Sequence, residues 1–295
     1  MTTGSIVRGV ACAIAALVAT SAPLANEPAQ ATADGLKSRF DQLRNSRKTP
    51  FDIPLYIESK QTANMLAGDV HSRIDKPFDT VKAELANPRA WCEILILHPN
   101  VKGCTVDAGE KSLAVRLGSG ETPAKFDYRV AQSGNDYLDV RIGAAEGPMG
   151  TSDYNFRVEV APLDAKSSVL HLAYSHAYGT RARFALQTYF NTLGRGKVGF
   201  TVVDRTPDGK PVYVGDLRGG MERNAMRYYL AIQAHLEALS APPAQRLERG
   251  MRTWLAQTER YPLQLKEEDG FVERKRAEIQ RFQRENVAAA SRPAG

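Results

Sequence analysis

Five histidines, eleven tyrosines and three cysteines carry most of the chemistry open to this 295-residue chain, and their spacing excludes more than it offers. His176 stands between Tyr174 and Tyr178 on a run in which Leu170, Leu172, Tyr174, His176 and Tyr178 share one face of a period-two pattern. An imidazole flanked by phenols on an apolar face can hold a ligand hydroxyl or carboxylate, or it can be a core residue satisfied by a neighbouring tyrosine. Tyr228 and His235 lie seven apart on a helical run, at the edge of its apolar seam, where both can face the mouth of a cavity. His171 and His176 are an odd number apart on one strand and so point to opposite faces. His71 alternates with Val70 and is expected to point outward. His98 precedes Pro99 and is expected in a loop.

Other chemistries lack their spacing. No His-x-x-x-His, His-x-x-Glu-His or Cys-x-x-Cys occurs, so no metal and no cofactor is expected. Gly194-Arg195-Gly196-Lys197 has neither the spacing nor the following Ser/Thr of a phosphate-binding loop. Gly118-Ser119-Gly120 leaves one residue between its glycines, too few for a nucleophile elbow. The net charge is +6, but the basic residues are scattered apart from Arg274–Arg276, and nucleic acid is not an expected partner. An apolar fraction of 43% and a charged fraction of 24% are those of an ordinary folded domain.

Residues 1–31 read as a signal peptide and its junction. Arg8 is followed by an apolar stretch from Gly9 to Val18 and by small residues, with cleavage after Ala25 or Ala31. Such a stretch is shorter than the ~20 apolar residues of a membrane span. The expected location is therefore periplasmic or secreted. Setting aside Cys12, which lies inside that leader, leaves Cys92 and Cys104. In an oxidising compartment an even pair suggests one disulfide, which by loop-closure entropy would contribute roughly 3 kcal/mol; two buried free thiols is the other reading.

Residues 32–54 hold a short helix, Gly35 to Arg44, with Leu36, Phe40 and Leu43 on one stripe, and a linker broken by Pro50 and Pro54. Two extended segments follow, Leu55–Ser59 and Leu66–Ile74. Pro77 then suits the start of a helix, with Asp75 or Asp79 placed to cap it, and a second short helix runs from Arg89 to Leu97. From Leu113 to Tyr178 the period is two, over five runs separated by Gly-, Pro- and Asn-rich turns. Each run has an apolar face and a charged one. Asp127, Arg129, Asp139, Arg141, Arg157 and Glu159 on the charged face read as a solvated outer surface, the signature of an antiparallel sheet covered on one side. A helix from Arg181 to Leu193, two strands in 198–217, and a long helix from Met221 to Leu239 after Gly219-Gly220 complete this part. Residues 241–285 are charged and helix-prone, and 286–295 read as a disordered tail.

The run Val70-His71-Ser72-Arg73-Ile74-Asp75-Lys76-Pro77-Phe78-Asp79-Thr80-Val81, continued by Leu85, Asn87-Pro88 and Trp91, resembles the first strand and following helix of the START/polyketide-cyclase-like (SRPBCC, Bet v 1-like) superfamily, here as an exported bacterial member. The long helix after Gly219-Gly220 matches that superfamily's last element. The resemblance covers residues 55–240, mainly as a topology. It implies an α+β helix-grip fold, a curved antiparallel sheet wrapped around a long C-terminal helix, with extra helices beyond it that have no counterpart. It also implies a hydrophobic small molecule, lipid or lipid-like, bound between sheet and helix. The residues that would then line the cavity are Tyr128, Tyr154, Phe156, Tyr174, His176, Tyr178, Tyr228, Ile232 and His235.

Two alternatives stand beside a binding protein. One is a cyclase- or dehydratase-type enzyme on the same fold with His176 or a cavity tyrosine as acid/base. The other is an interaction module whose interior is filled by its own aromatics, leaving less than ~300 Å³. Residues 244–285 either pack back through Trp254 and Leu255 or present Arg274, Lys275 and Arg276 to a membrane surface or protein partner.

Overall fold

A computed structural model describes Met1 and residues 32–46, 49, 51, 53–192, 194 and 196–290. The leader, its cleavage positions and the last five residues lie outside the described residues. The first helix, α1 (Ala33–Ser46), buries the stripe Ala33, Leu36, Phe40 and Leu43. Then come β1 (Leu55–Gln61), β2 (Met65–Ile74), α2 (Phe78–Leu85) and α3 (Pro88–Leu95). Neither Asp75 nor Asp79 caps α2: Pro77 itself is the N-cap, and no side chain bonds to it. The cap appears one helix later, where the Asn87 side chain accepts from the Arg89 amide and Pro88 opens α3.

The meander follows as β3 (Val101–Val106), β4 (Ser112–Leu117), β5 (Thr122–Ser133), β6 (Leu138–Glu146), β7 (Thr151–Pro162) and β8 (Ser168–Tyr178). One eight-stranded antiparallel sheet results, in the order β1-β2-β8-β7-β6-β5-β4-β3. The α2–α3 crossover carries the chain from one side of the sheet to its far edge, and the meander returns until β8 pairs with β2. Register shifts in β3, β5 and β7 are the bulges that bend such a sheet. After α4 (Thr180–Asn191), β9 (Val202–Arg205) and β10 (Pro211–Tyr213) form a separate two-stranded ribbon.

The long helix α5 (Asp216–Ala238) lies in the bend against β1, β2 and β8. Gly68 on β2 leaves room for Met221 and Ala225; a Cβ there would lie 3.0 Å from Met221 Cγ. Tyr229 and Ser72 share a buried 2.8 Å hydrogen bond. This helix starts five residues before the expected Met221. Gly219 is not a break ahead of it but part of its first turns, because a Cβ at 219 would come within 2.7 Å of the Val214 carbonyl. The absence of a side chain there permits a close backbone approach.

The C-terminal segment packs back on the domain. From Thr32 onward the chain is one compact unit. Helix α6 (Arg246–Glu259) runs along α5, with Trp254 Nε1 donating to the Arg227 carbonyl at 3.2 Å. After α7 (Pro262–Leu265), α8 (Phe271–Ala290) lies along β3. Lys275, Arg281 and Asn286 donate to the carbonyls of Val101, Lys102 and Cys104, so a helix's side chains satisfy an edge strand that would otherwise be open to pairing. The expected tail is therefore helical as far as Ala290, and Lys275, 1% exposed, is closed to any membrane surface. Cys92 on α3 and Cys104 on β3 are joined by a disulfide, with Cα atoms 5.2 Å apart.

The charged face is a second correction. Asp127 and Arg129 are exposed as expected. Asp139 and Glu159 are buried, and so is His71. Register places Tyr56, His71, His171, Glu159 and Asp139 in one row across five strands. Helix α1 covers part of this face over β7 and β8, with Phe40 edge-on to Tyr56. His171 stacks on His71 with ring centres 4.1 Å apart and bonds Glu159 at 2.8 Å and Asp69 at 2.9 Å. Tyr137 donates to Glu159, and Arg157 bridges Glu159 and Asp139. Alternating charge reads the same whether a face meets water or a network of partners, which is why spacing alone missed it.

Candidate functional site

Sheet, α5 and the C-terminal segment enclose a cavity of about 800 Å³. Its floor is the concave face of the sheet, where Leu66, Val115, Leu117, Phe126, Ile142 and Phe156 supply the apolar wall. Each comes from the inward-facing register of its strand, so the alternation that made the sheet also greased the cavity.

One end carries an aromatic cluster with polar tips. His176 stacks on Tyr154 at 5.2 Å between ring centres, and Tyr174 and Tyr228 meet edge to face at 5.3 Å. Thr151 donates to the Pro148 carbonyl at 2.6 Å, which leaves its oxygen to accept from the Tyr154 hydroxyl at 2.7 Å. Burial holds the phenols of Tyr154, Tyr174 and Tyr228 above their ordinary range, and burial also pushes the His176 imidazole down. This end is therefore uncharged at neutral pH and offers hydroxyl and imidazole groups to a ligand.

A second, charged end of the lining, joined to the aromatic cluster through Tyr228, is built from the turn after α3, from β3 and from α8. His98 stacks on Tyr228 at 4.2 Å, and its Nδ1 accepts from the Asn100 amide at 3.2 Å. Lys275 donates to the carbonyls of His98 and Val101. Glu278 is shared by two lysines, Lys102 at 2.8 Å and Lys275 at 2.6 Å. Arg227 pairs with Glu267 at 2.6 Å. Burial is the chief cause that brings Lys275 down to about 8, with Glu278 opposing it.

Five of the nine expected residues line this cavity: Tyr154, Phe156, Tyr174, His176 and Tyr228. The other four do not. Tyr128 is buried with its hydroxyl toward the Leu85 carbonyl at 3.5 Å, and Tyr178 donates to the Thr62 carbonyl at 2.7 Å. Ile232 is fully buried. His235 lies two turns further along the same side of α5, where it bonds Glu84 at 2.9 Å with Glu93 at 3.6 Å. The reason is helical phase: seven residues bring Tyr228 and His235 onto one stripe, but the neighbours of that stripe change from sheet to α2–α3 along its length. Sequence reasoning missed His98, Lys102, Arg227, Lys275 and Glu278. The sole cue was that His98 is one of five histidines; nothing local marks a pair such as His98 and Lys275, 177 positions apart.

An antiparallel sheet bent around a long helix, with a cavity between them, decides the architecture. It is an α+β helix-grip fold. Solved structures similar to this chain include norcoclaurine synthase from Thalictrum flavum in complex with dopamine and hydroxybenzaldehyde, 12% identical, TM-score 0.34, over 50% of this chain and 91% of that one. A START superfamily protein from Mycobacterium smegmatis is 13% identical, TM-score 0.29, over 40% and 80% of the two chains. A conserved protein from Geobacillus kaustophilus is 12% identical, TM-score 0.35, over 58% and 95%. No family model matches the chain, and no curated protein matches it. Among the described residues, no helix is long and apolar enough to cross a membrane.

Proposed function

We propose that this START-like chain is a binding protein that takes a hydrophobic, lipid-like small molecule into the cavity between sheet and α5, and that it works in the periplasm or outside the cell. The cavity carries the reading. At about 800 Å³ it falls within the ~300–1,000 Å³ of small-molecule sites, and its apolar wall with a few convergent polar groups is their usual chemistry. That volume also speaks against an interior plugged by its own aromatics. The Cys92–Cys104 disulfide supports an oxidising compartment.

The test uses N-phenyl-1-naphthylamine, an uncharged apolar fluorophore. Saturable 1:1 binding to the wild-type protein is expected, abolished by Ile142→Trp, which fills the wall, with thermal unfolding still cooperative. Wild-type protein that leaves the fluorophore dark would sink the reading.

One observation favours the enzymatic alternative: His176, held neutral by burial and aimed among phenols, is a competent base at neutral pH. Turnover of a carbonyl substrate that disappears in His176→Ala, with fluorophore binding retained, would establish it.

A further inference from the structure

His98 is 1% exposed and lines the cavity. Because Nδ1 accepts from a backbone amide, the proton of the neutral ring sits on Nε2. Among the described residues no group bonds to that nitrogen. A buried donor left without a partner costs about 1–3 kcal/mol, so its persistence at a cavity wall points to an acceptor that is not part of the chain.

The charges around it give the acceptor's sign. Four lysines and three arginines line the cavity against three glutamates. Arg227 has Glu267 to itself, but Lys102 and Lys275 divide one carboxylate, Glu278. That trio carries one uncompensated positive charge at a site where Lys275 is wholly buried. Burial and the nearby cations Arg227, Lys275 and Lys102 hold His98 well below its ordinary range, so the ring itself adds no charge. The apolar wall runs from this end toward the Tyr154–His176 cluster.

We propose that the ligand is an amphiphile with a monoanionic carboxylate head, seated at the His98–Lys102–Lys275 end and accepting the Nε2 proton of His98, with its apolar body along the sheet. A single uncompensated charge matches a carboxylate better than a phosphate monoester, which carries about −1.5 to −2. Reaching Nε2 takes a small tilt of the imidazole within its stack on Tyr228, since that atom lies below the cavity surface. This inference rests on the cavity being a ligand site, and it deepens that reading by naming the head group and its end of the cavity.

The experiment compares oleate with oleyl alcohol, both below their micelle concentrations, as competitors of N-phenyl-1-naphthylamine on the full chain. Oleate is expected to bind at least tenfold more tightly. The preference should fall below threefold in Lys102→Gln, which removes the surplus charge from a partly exposed side chain, and in His98→Phe, which keeps the stack and removes the donor. A preference that rises at low salt in the wild type and not in Lys102→Gln supports the charge assignment. Equal affinity for acid and alcohol in the wild type would overturn the head-group proposal and leave the cavity reading standing. Failure of the fluorophore itself to bind would remove both. An oleate preference unchanged in Lys102→Gln and in folded His98→Phe would overturn the placement of the head.

Discussion

His171 and His176 lie five residues apart on β8, on opposite faces of one sheet, and the two faces treat an imidazole in opposite ways. On the outer face both ring nitrogens of His171 meet carboxylates, Glu159 and Asp69. Burial opposes its charging, but those hydrogen bonds outweigh burial and bring it to about 9. On the inner face His176 has one long contact, 3.4 Å to the Ala177 carbonyl, and burial keeps it neutral. The outer face spends its polar groups on one another and is finished; the inner face leaves some unspent beside a cavity. The lesson is that a charged strand face is not by default the working one. Here the rich cluster of acids, arginines and histidines holds the sheet together, and the sparser face has room for a guest.

The strongest way to break the comparison is to remove a member of the outer network. Glu159→Ala leaves His171 with Asp69 alone and Arg157 with Asp139 alone, and strands the Tyr137 hydroxyl; the loss of one partner from such a buried network costs up to about 3–5 kcal/mol. Urea denaturation is expected to show a fall of that size, while Ile142→Trp on the inner face changes stability far less. A cost below about 1 kcal/mol would mean that the outer network is solvated after all.

The next effect is a pair of pH slopes of opposite sign. His171 is raised in the folded state, so its stabilisation is complete below about 6.5, the unfolded value, and is lost as pH rises toward about 9. Glu159 and Asp139 are held below the ordinary carboxylate range, where burial is outweighed by His171 and Tyr137 for the one and by Arg157 and Arg141 for the other. Their stabilisation disappears as acid titrates them. The wild type minus His171→Gln difference in thermal stability should therefore shrink from pH 6.5 to 9. That subtraction removes the contribution of Lys275, whose lowered value acts in the other direction above about 8. A difference independent of pH would show that His171 is not charged.

The smallest effect sharpens the contrast. His176→Gln should shift stability at pH 7 by less than about 1 kcal/mol, because the residue makes no short hydrogen bond whose loss strands a partner. Its lowered value makes the wild type lose stability as pH falls below about 6.5, and the mutant should lose less there. Calorimetry at pH 5.5 and 7 measures it.

Much of the framework was legible because secondary structure and burial obey short-range periodicity. The α1 stripe and the inward residues of β6 to β8 lie where period 3.6 and period 2 put them, Val130 beside the β5 bulge is exposed, and the cysteine pair is joined. Five of the nine expected residues reach the cavity for the same reason: they occupy the inward register of β7 and β8 or the sheet-facing side of α5. The misses have a common origin. Tyr128 and Tyr178 share that register but sit where α2 and the β1–β2 turn close over the sheet, and no local pattern tells where a sheet is covered.

By itself, then, the sequence determined which residues face which side of each element, because side-chain direction follows from backbone geometry over a few residues. Only the tertiary structure decided what each side meets. His98, Lys102 and Lys275 come together because α8 runs along the edge of β3. The charged face of β6 to β8 becomes a buried network because register aligns five strands. Both depend on contacts between residues far apart in the chain, whose energies no local spacing encodes.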